Sequence, residues 1–169
     1  MNKGFNSAAN KAGVKPSCFV AGTLVMAVAG MVAIEKIKSG DKVISTDPET
    51  METSPKIVLE TYIREVTTLV HLTVNGEEIV TTVDHPFYVN SRGFVKAGEL
   101  AIGYELLDVN GNVLLVEKFN VELTDEPTTV YNFQVEDFHT YHVGEIGVWV
   151  HNASCKVNKK VGENYDQRF

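Results

Sequence analysis

The chain has 169 residues, 44% hydrophobic and 22% charged, the make-up of a soluble globular protein long enough to bury a core. Its net charge of −7 argues against non-specific nucleic-acid binding, and no apolar run reaches the roughly 18 residues of a membrane-spanning helix. Two cysteines, Cys18 and Cys155, allow one disulfide at most and lack zinc-ligand spacing, so neither a disulfide framework nor a metal site is expected.

Residues 1–17 are polar and small, with no basic-then-apolar signal pattern, and read as a flexible N-terminal flank. Short β-rich runs then recur between turn signals. Thr23 to Met26 and Met31 to Ile34 flank Val28-Ala29-Gly30 as a hairpin, and Lys42 to Ser45 is a strand ending at Asp47-Pro48. Lys56 to Val66 and Thr67 to Val74 are β-branched stretches, and Asn75-Gly76 turns the chain back into Glu78 to Val83. Tyr88-Val89 pairs across Asn90-Ser91-Arg92 with Gly93 to Val95, and Leu106 to Val109 pairs across Asn110-Gly111 with Val113 to Phe119. Thr128 to Glu136, Thr140 to Val143 and Gly147 to Val150 complete the set. Helix is confined to one or two turns in Ala33 to Lys38 and Lys96 to Leu100, so the expected fold class is all-β. Residues 153–169 lose the apolar pattern and read as a C-terminal flank.

Two separated residues suggest that the chain acts on its own backbone. A cysteine such as Cys18 can take the preceding acyl group from its own nitrogen onto sulfur. An asparagine such as Asn152, preceded by His151, can attack its own carbonyl and break the bond to Ala153. Either residue alone has a plainer explanation. A lone buried cysteine is ordinarily an inert apolar side chain, and His151-Asn152 would simply end a strand. His71 reads as structural, Trp149 as core packing, Asp84 and Asp137 as turn residues, and His142 is left open.

Four blocks in order resemble the Hint superfamily of inteins, hedgehog autoprocessing domains and bacterial intein-like domains. They are Cys18-Phe19-Val20-Ala21-Gly22-Thr23 with Ile34 to Val43, Thr82-Val83-Asp84-His85-Pro86-Phe87-Tyr88, Val130 to Val143, and Gly147-Val148-Trp149-Val150-His151-Asn152. The phrase Val135-Glu136-Asp137-Phe138-His139-Thr140-Tyr141-His142-Val143-Gly144 is most like the bacterial intein-like branch, without an inserted homing endonuclease. The resemblance implies a flat, horseshoe-like disk of mostly antiparallel strands spanning Cys18 to Asn152, with its two ends together. It also implies catalysis by Cys18, Thr82, His85, His139, His151 and Asn152 at the Ser17–Cys18 and Asn152–Ala153 bonds.

On that reading Thr82 binds the scissile peptide and His85, with an unperturbed pKa of about 6.5, donates a proton near neutral pH. His139 serves as base for Asn152, and His151 polarises the carbonyl or protonates the amine. No cofactor is implied, and the reaction is single-turnover in cis. The acyl acceptor is water, a thiol or an amine, and a monomer is expected. Ala153 departs from the Cys, Ser or Thr of ordinary inteins, and Asn132 stands where many carry Asp. Cleavage at each end should therefore dominate, with splicing a low-yield outcome. The setting expected is a module of a larger bacterial protein, secreted or surface-associated. The alternatives are a catalytically silent spacer with this fold and a Cys-His protease acting in trans, in which Asn152 has no role.

Overall fold

The computed structural model describes residues 17–152; the segments 1–16 and 153–169, with Ala153 and Cys155, lie outside the described residues. Twelve strands follow in order: β1 (Phe19–Val20), β2 (Leu24–Ala27), β3 (Gly30–Ala33), β4 (Lys42–Thr46), β5 (Thr53–Val74) and β6 (Glu77–Thr81). The remainder are β7 (Pro86–Val89), β8 (Gly93–Lys96), β9 (Glu105–Leu107), β10 (Val113–Val135), β11 (Thr140–Val143) and β12 (Val148–His151). Helix among the described residues is two single 3-10 turns, Ile34–Lys36 and Ala97–Glu99. The all-β expectation holds.

All pairings are antiparallel, in the order β11-β12-β7-β9-β10-β1-β6-β5-β4-β2-β3, with β8 on β7. A further pairing of β11 with β2, at Val143 and Val25, joins two distant points of that path. The circuit thus returns on itself, and it is crossed by the long β5–β10 ribbon. This closure brings residues near position 20 beside residues near position 140.

Turn chemistry set most of the boundaries. Asn75 and Gly76 both take positive φ, 45° and 89°, the geometry of a tight hairpin turn whose twist matches the strands it joins. Strand β9 stops at Leu107, short of the expected Val109, because the Asp108 carboxylate accepts the Asn110 and Asn112 amides and turns the backbone there.

The two longest strands differ from expectation. Residues 53–74 and 113–135 are each continuous, whereas composition divided each into separate pieces. The interruption in β10 is an irregularity within the pairing: Leu123 faces Thr68 and Thr128 faces Val66. Asp125-Glu126-Pro127 therefore bulges out while the ladder continues on either side. The two-residue strand β1 was not anticipated, since Phe19-Val20 is too short to show periodicity.

The buried core runs through Phe19, Val25, Val58, Leu72, Phe87, Phe133, Tyr141 and Val150, and a smaller cluster joins Cys18 to Leu69 and Val130. One close approach controls the loop before β7. The Gly98 amide donates to the Val83 carbonyl and the Ala97 amide to the His85 carbonyl. A Cβ at Gly98 would stand 2.6 Å from Val83 Cγ1 and 3.2 Å from the Val83 oxygen. Gly98→Ala should overpack this contact and lower stability by about 1–3 kcal/mol, measured as a lower urea midpoint with unchanged slope.

Candidate functional site

The loop between β6 and β7, residues Thr82 to His85, receives the first described residues of the chain. The Cys18 amide donates to Thr82 Oγ1 at 3.0 Å. The Cys18 carbonyl accepts from the Thr82 amide at 3.0 Å and from Thr81 Oγ1 at 2.8 Å. Ser17 Oγ donates to the Asp84 carbonyl at 3.1 Å. Both sides of the Ser17–Cys18 peptide are thus anchored to one loop.

Strand β1 pairs with β10 through Phe19 to Tyr131 and Val20 to Val130, and Cys18 leads into it. Asn132 donates from Nδ2 to the Asn152 carbonyl at 3.1 Å. The Cys18 sulfur acts electrostatically on Tyr141, which hydrogen-bonds Asn132, so Cys18 and Asn152, far apart along the polymer, both approach the Tyr141–Asn132 pair. Asn132 and Tyr141, whose hydroxyl donates to Asn132 Oδ1 at 2.7 Å, were not among the expected site residues. For Asn132 the available signals were its place where many inteins carry Asp and its polar side chain inside the apolar run Val130-Tyr131-Asn132-Phe133.

Ser17, Cys18, Thr82, His85, Asn132 and Asn152 are each at most 4% exposed. A fully buried thiol is poorly placed to meet a separate polypeptide, which weighs against a trans-acting protease. His139 and His151 sit at the edge, half-buried, with ring centroids 6.3 Å apart. The Asn152 amide donates to the His139 carbonyl at 2.8 Å, and His139 holds the left-handed backbone, φ 59°, a conformation that costs energy for a residue with a Cβ.

His85 is packed among aromatic rings: Phe19 at 4.3 Å, Phe87 at 6.0 Å and Tyr141 at 6.3 Å between centroids. Neither ring nitrogen makes a hydrogen bond of ordinary length, and the same is true of Asn152 Nδ2 and Oδ1. Burial pushes the His85 pKa down to about 3, and the nearby His151 backbone opposes this more weakly. His85 is therefore neutral at physiological pH, unlike the unperturbed imidazole assumed from sequence. Burial also holds the Tyr141 hydroxyl above the ordinary tyrosine range, and the Cys18 sulfur adds in the same direction.

The remaining histidines have structural partners. His142 is buried, with Nδ1 2.9 Å from the Gly147 carbonyl and Nε2 2.8 Å from Thr46 Oγ1, and burial lowers its pKa to about 4. His71 lies between Glu78 at 2.9 Å and Glu122 at 2.6 Å; hydrogen bonds to these carboxylates raise its pKa. Trp149 is buried and stacks on Tyr88 at 4.3 Å. The turn at Asp137 has φ 62° and its carboxylate pairs with Lys56 at 2.7 Å.

The two kinds of histidine make opposite contributions to stability. His85 binds its proton more weakly when folded, so stability present above the unfolded pKa of about 6.5 falls as pH drops towards 3. His71 binds more tightly when folded, so its contribution is complete below about pH 6.5 and lost as pH rises through its raised pKa. In an NMR titration from pH 8 to 5, the His85 and His142 rings should not shift, while His71 titrates with a midpoint above 6.5.

With this geometry established, comparison with known proteins identifies the fold. The pretoxin HINT domain family matches residues 24–153. The chain is 60% identical to a bacterial intein-like domain from Clostridium thermocellum, covering 79% of this chain and 97% of that one, at a TM-score of 0.78. Two inteins share the fold at low identity. One is a variant of the Ssp DnaB mini-intein, with 13% identity, TM-score 0.70, and 82% and 94% of the two chains covered. The other is the gp41-1 intein, with 21% identity, TM-score 0.67, and 81% and 99% covered. An uncharacterised protein of Methanocaldococcus jannaschii is 36% identical over 77 residues, which is 43% of this chain; the chain spans only 11% of that protein's length. The chain belongs to the pretoxin HINT domain family, with the Hint fold of self-processing, bacterial intein-like domains.

Proposed function

We propose that residues 18–152 form a self-processing domain whose substrates are the two peptide bonds at its own ends. The observation that carries this reading is the approach of both ends to the Tyr141–Asn132 pair, with Asn132 on the Asn152 carbonyl and Thr82 holding the Cys18 amide.

At the first end, the Cys18 thiol attacks the Ser17 carbonyl carbon, the C–S bond forms and the C–N bond breaks. Thr82 keeps the departing nitrogen in register with the loop. Neutral His85 relays the thiol proton to that nitrogen; its low basicity opposes taking the proton from sulfur and favours handing it on. The thioester then goes to water, an external thiol or an amine.

At the second end, Asn152 Nδ2 attacks the Asn152 carbonyl carbon, closing a succinimide and releasing the amine of Ala153. The intramolecular geometry contributes up to about 7–11 kcal/mol. Its side-chain amide has no hydrogen-bond partner to break first. His139 acts as base and His151 as donor to the leaving nitrogen; both lie at the half-buried edge where protons exchange with solvent. Because Ala153 offers no second nucleophile, the two cleavages dominate and ligation of the flanks is a minor outcome. The pretoxin description of the family supports a module that releases parts of a larger bacterial protein, secreted or on the surface. The chain works once and in cis.

The test is the full chain with a different tag at each end, followed on denaturing gels with and without added thiol. Cys18→Ala should abolish release of the N-terminal tag, and Asn152→Ala release of the C-terminal tag. His85→Ala should slow the first release by about 10²–10⁴-fold. Full-length protein persisting under all conditions would mean a silent module.

A further inference from the structure

We propose that Asn132 is a catalytic residue for the second cleavage, as the donor that stabilises the oxyanion formed on the Asn152 carbonyl, and that Tyr141 is its positioning residue. The inference rests on the self-processing reading above and adds a role that the sequence did not assign.

The orientation of the Asn132 amide is settled by its neighbours. Oδ1 lies 2.8 Å from the Phe133 amide, which can only donate, and 2.7 Å from the Tyr141 hydroxyl. Nδ2 lies 3.1 Å from the Asn152 carbonyl oxygen, which can only accept. Flipping the amide would set Nδ2 against the Phe133 N–H and Oδ1 against a carbonyl, losing bonds on both sides. The donor therefore points at the scissile carbonyl before reaction begins.

During cyclisation the Asn152 Nδ2 bonds to the carbonyl carbon and the carbonyl π pair moves onto oxygen. Collapse restores the C=O bond and expels the Ala153 nitrogen, which gains the proton lost by Nδ2. Charge builds on the oxygen that Asn132 already touches. Both residues are at most 2% exposed, so the bond acts where water does not screen it, and such donors stabilise the transition state more than the ground state. Tyr141 contributes through Oδ1. Its hydroxyl is held protonated by burial, so it stays a donor and keeps the amide from turning.

An aspartate at this position is nearly the same size but, when ionised, has only acceptors. Asn132→Asp would set negative charge against the growing oxyanion, and protonation would restore an O–H donor. This contrast separates a donor role from simple packing.

The experiment uses the full, doubly tagged chain carrying Cys18→Ala, so that only release of the C-terminal tag is followed. Rates are compared for Asn132, Asn132→Ala, Asn132→Asp and Tyr141→Phe between pH 4.5 and 8.5, with thermal melts confirming folding. Asn132→Ala should slow release by about 10²–10³-fold. Asn132→Asp should be at least as slow at pH 8, with its rate relative to Asn132 recovering at least tenfold towards pH 4.5. Tyr141→Phe leaves the Phe133 amide on Oδ1 and should cost less, roughly threefold to tenfold, with no change in pH profile. Unchanged release in folded Asn132→Ala, or an Asn132→Asp defect equal at every pH, overturns the oxyanion role while leaving self-processing intact. Absence of Asn152-dependent release from the parent chain overturns both.

Discussion

The placement of Cys18 rests on three hydrogen bonds from Thr81 and Thr82. One holds its amide and two hold its carbonyl. A two-residue strand such as β1 has too little pairing to persist alone, since ordering each residue costs about 1–2 kcal/mol of backbone entropy. Seated between β10 and β6, it fills a slot that the rest of the sheet has already formed. The β5–β6 hairpin, its turn at Asn75-Gly76 and the β10 ribbon are in that sense the template on which the reactive end is laid down.

The same sheet excludes water from the reactive groups. The aromatic packing of His85 and the unpartnered side-chain amide of Asn152 run against the general rule that buried polar groups find hydrogen bonds. Sites where that rule is broken tend to be sites of function. His85 and Asn152 are among the unpaired groups, whereas the side chains of Asn132 and Thr82 are hydrogen-bonded.

His139 and His151 lie in a different environment. They stand at the end of β12 and in the turn before β11, half-buried, so protons can pass between them and solvent. Cys18 and Asn152 are both buried, and only these two histidines reach the half-buried edge; Asn132 bonds the Asn152 carbonyl from within.

Much of this was legible in the residues. Asn75-Gly76 announced its hairpin because few dipeptides tolerate two positive φ angles, and Thr140 to Val143 was read to the residue because it is bounded by turns. The long ribbon was not, because Asp125-Glu126-Pro127 has the composition of a loop and only cross-strand pairing carries the ladder past it. Cys18, His151 and Asn152 stood out by their chemistry, and Thr82, His85 and His139 through the blocks that resemble the Hint superfamily. The charge of His85 and the role of Asn132 depended on neighbours more than 40 residues away or on another strand: Phe19 and Tyr141 for the first, Tyr141 and Asn152 for the second. The order of residues therefore determined the candidate reactive groups and the β character. Only the tertiary structure decided which groups are dry, which are tethered and which face each other, because desolvation and hydrogen-bond geometry depend on distance in space rather than along the chain.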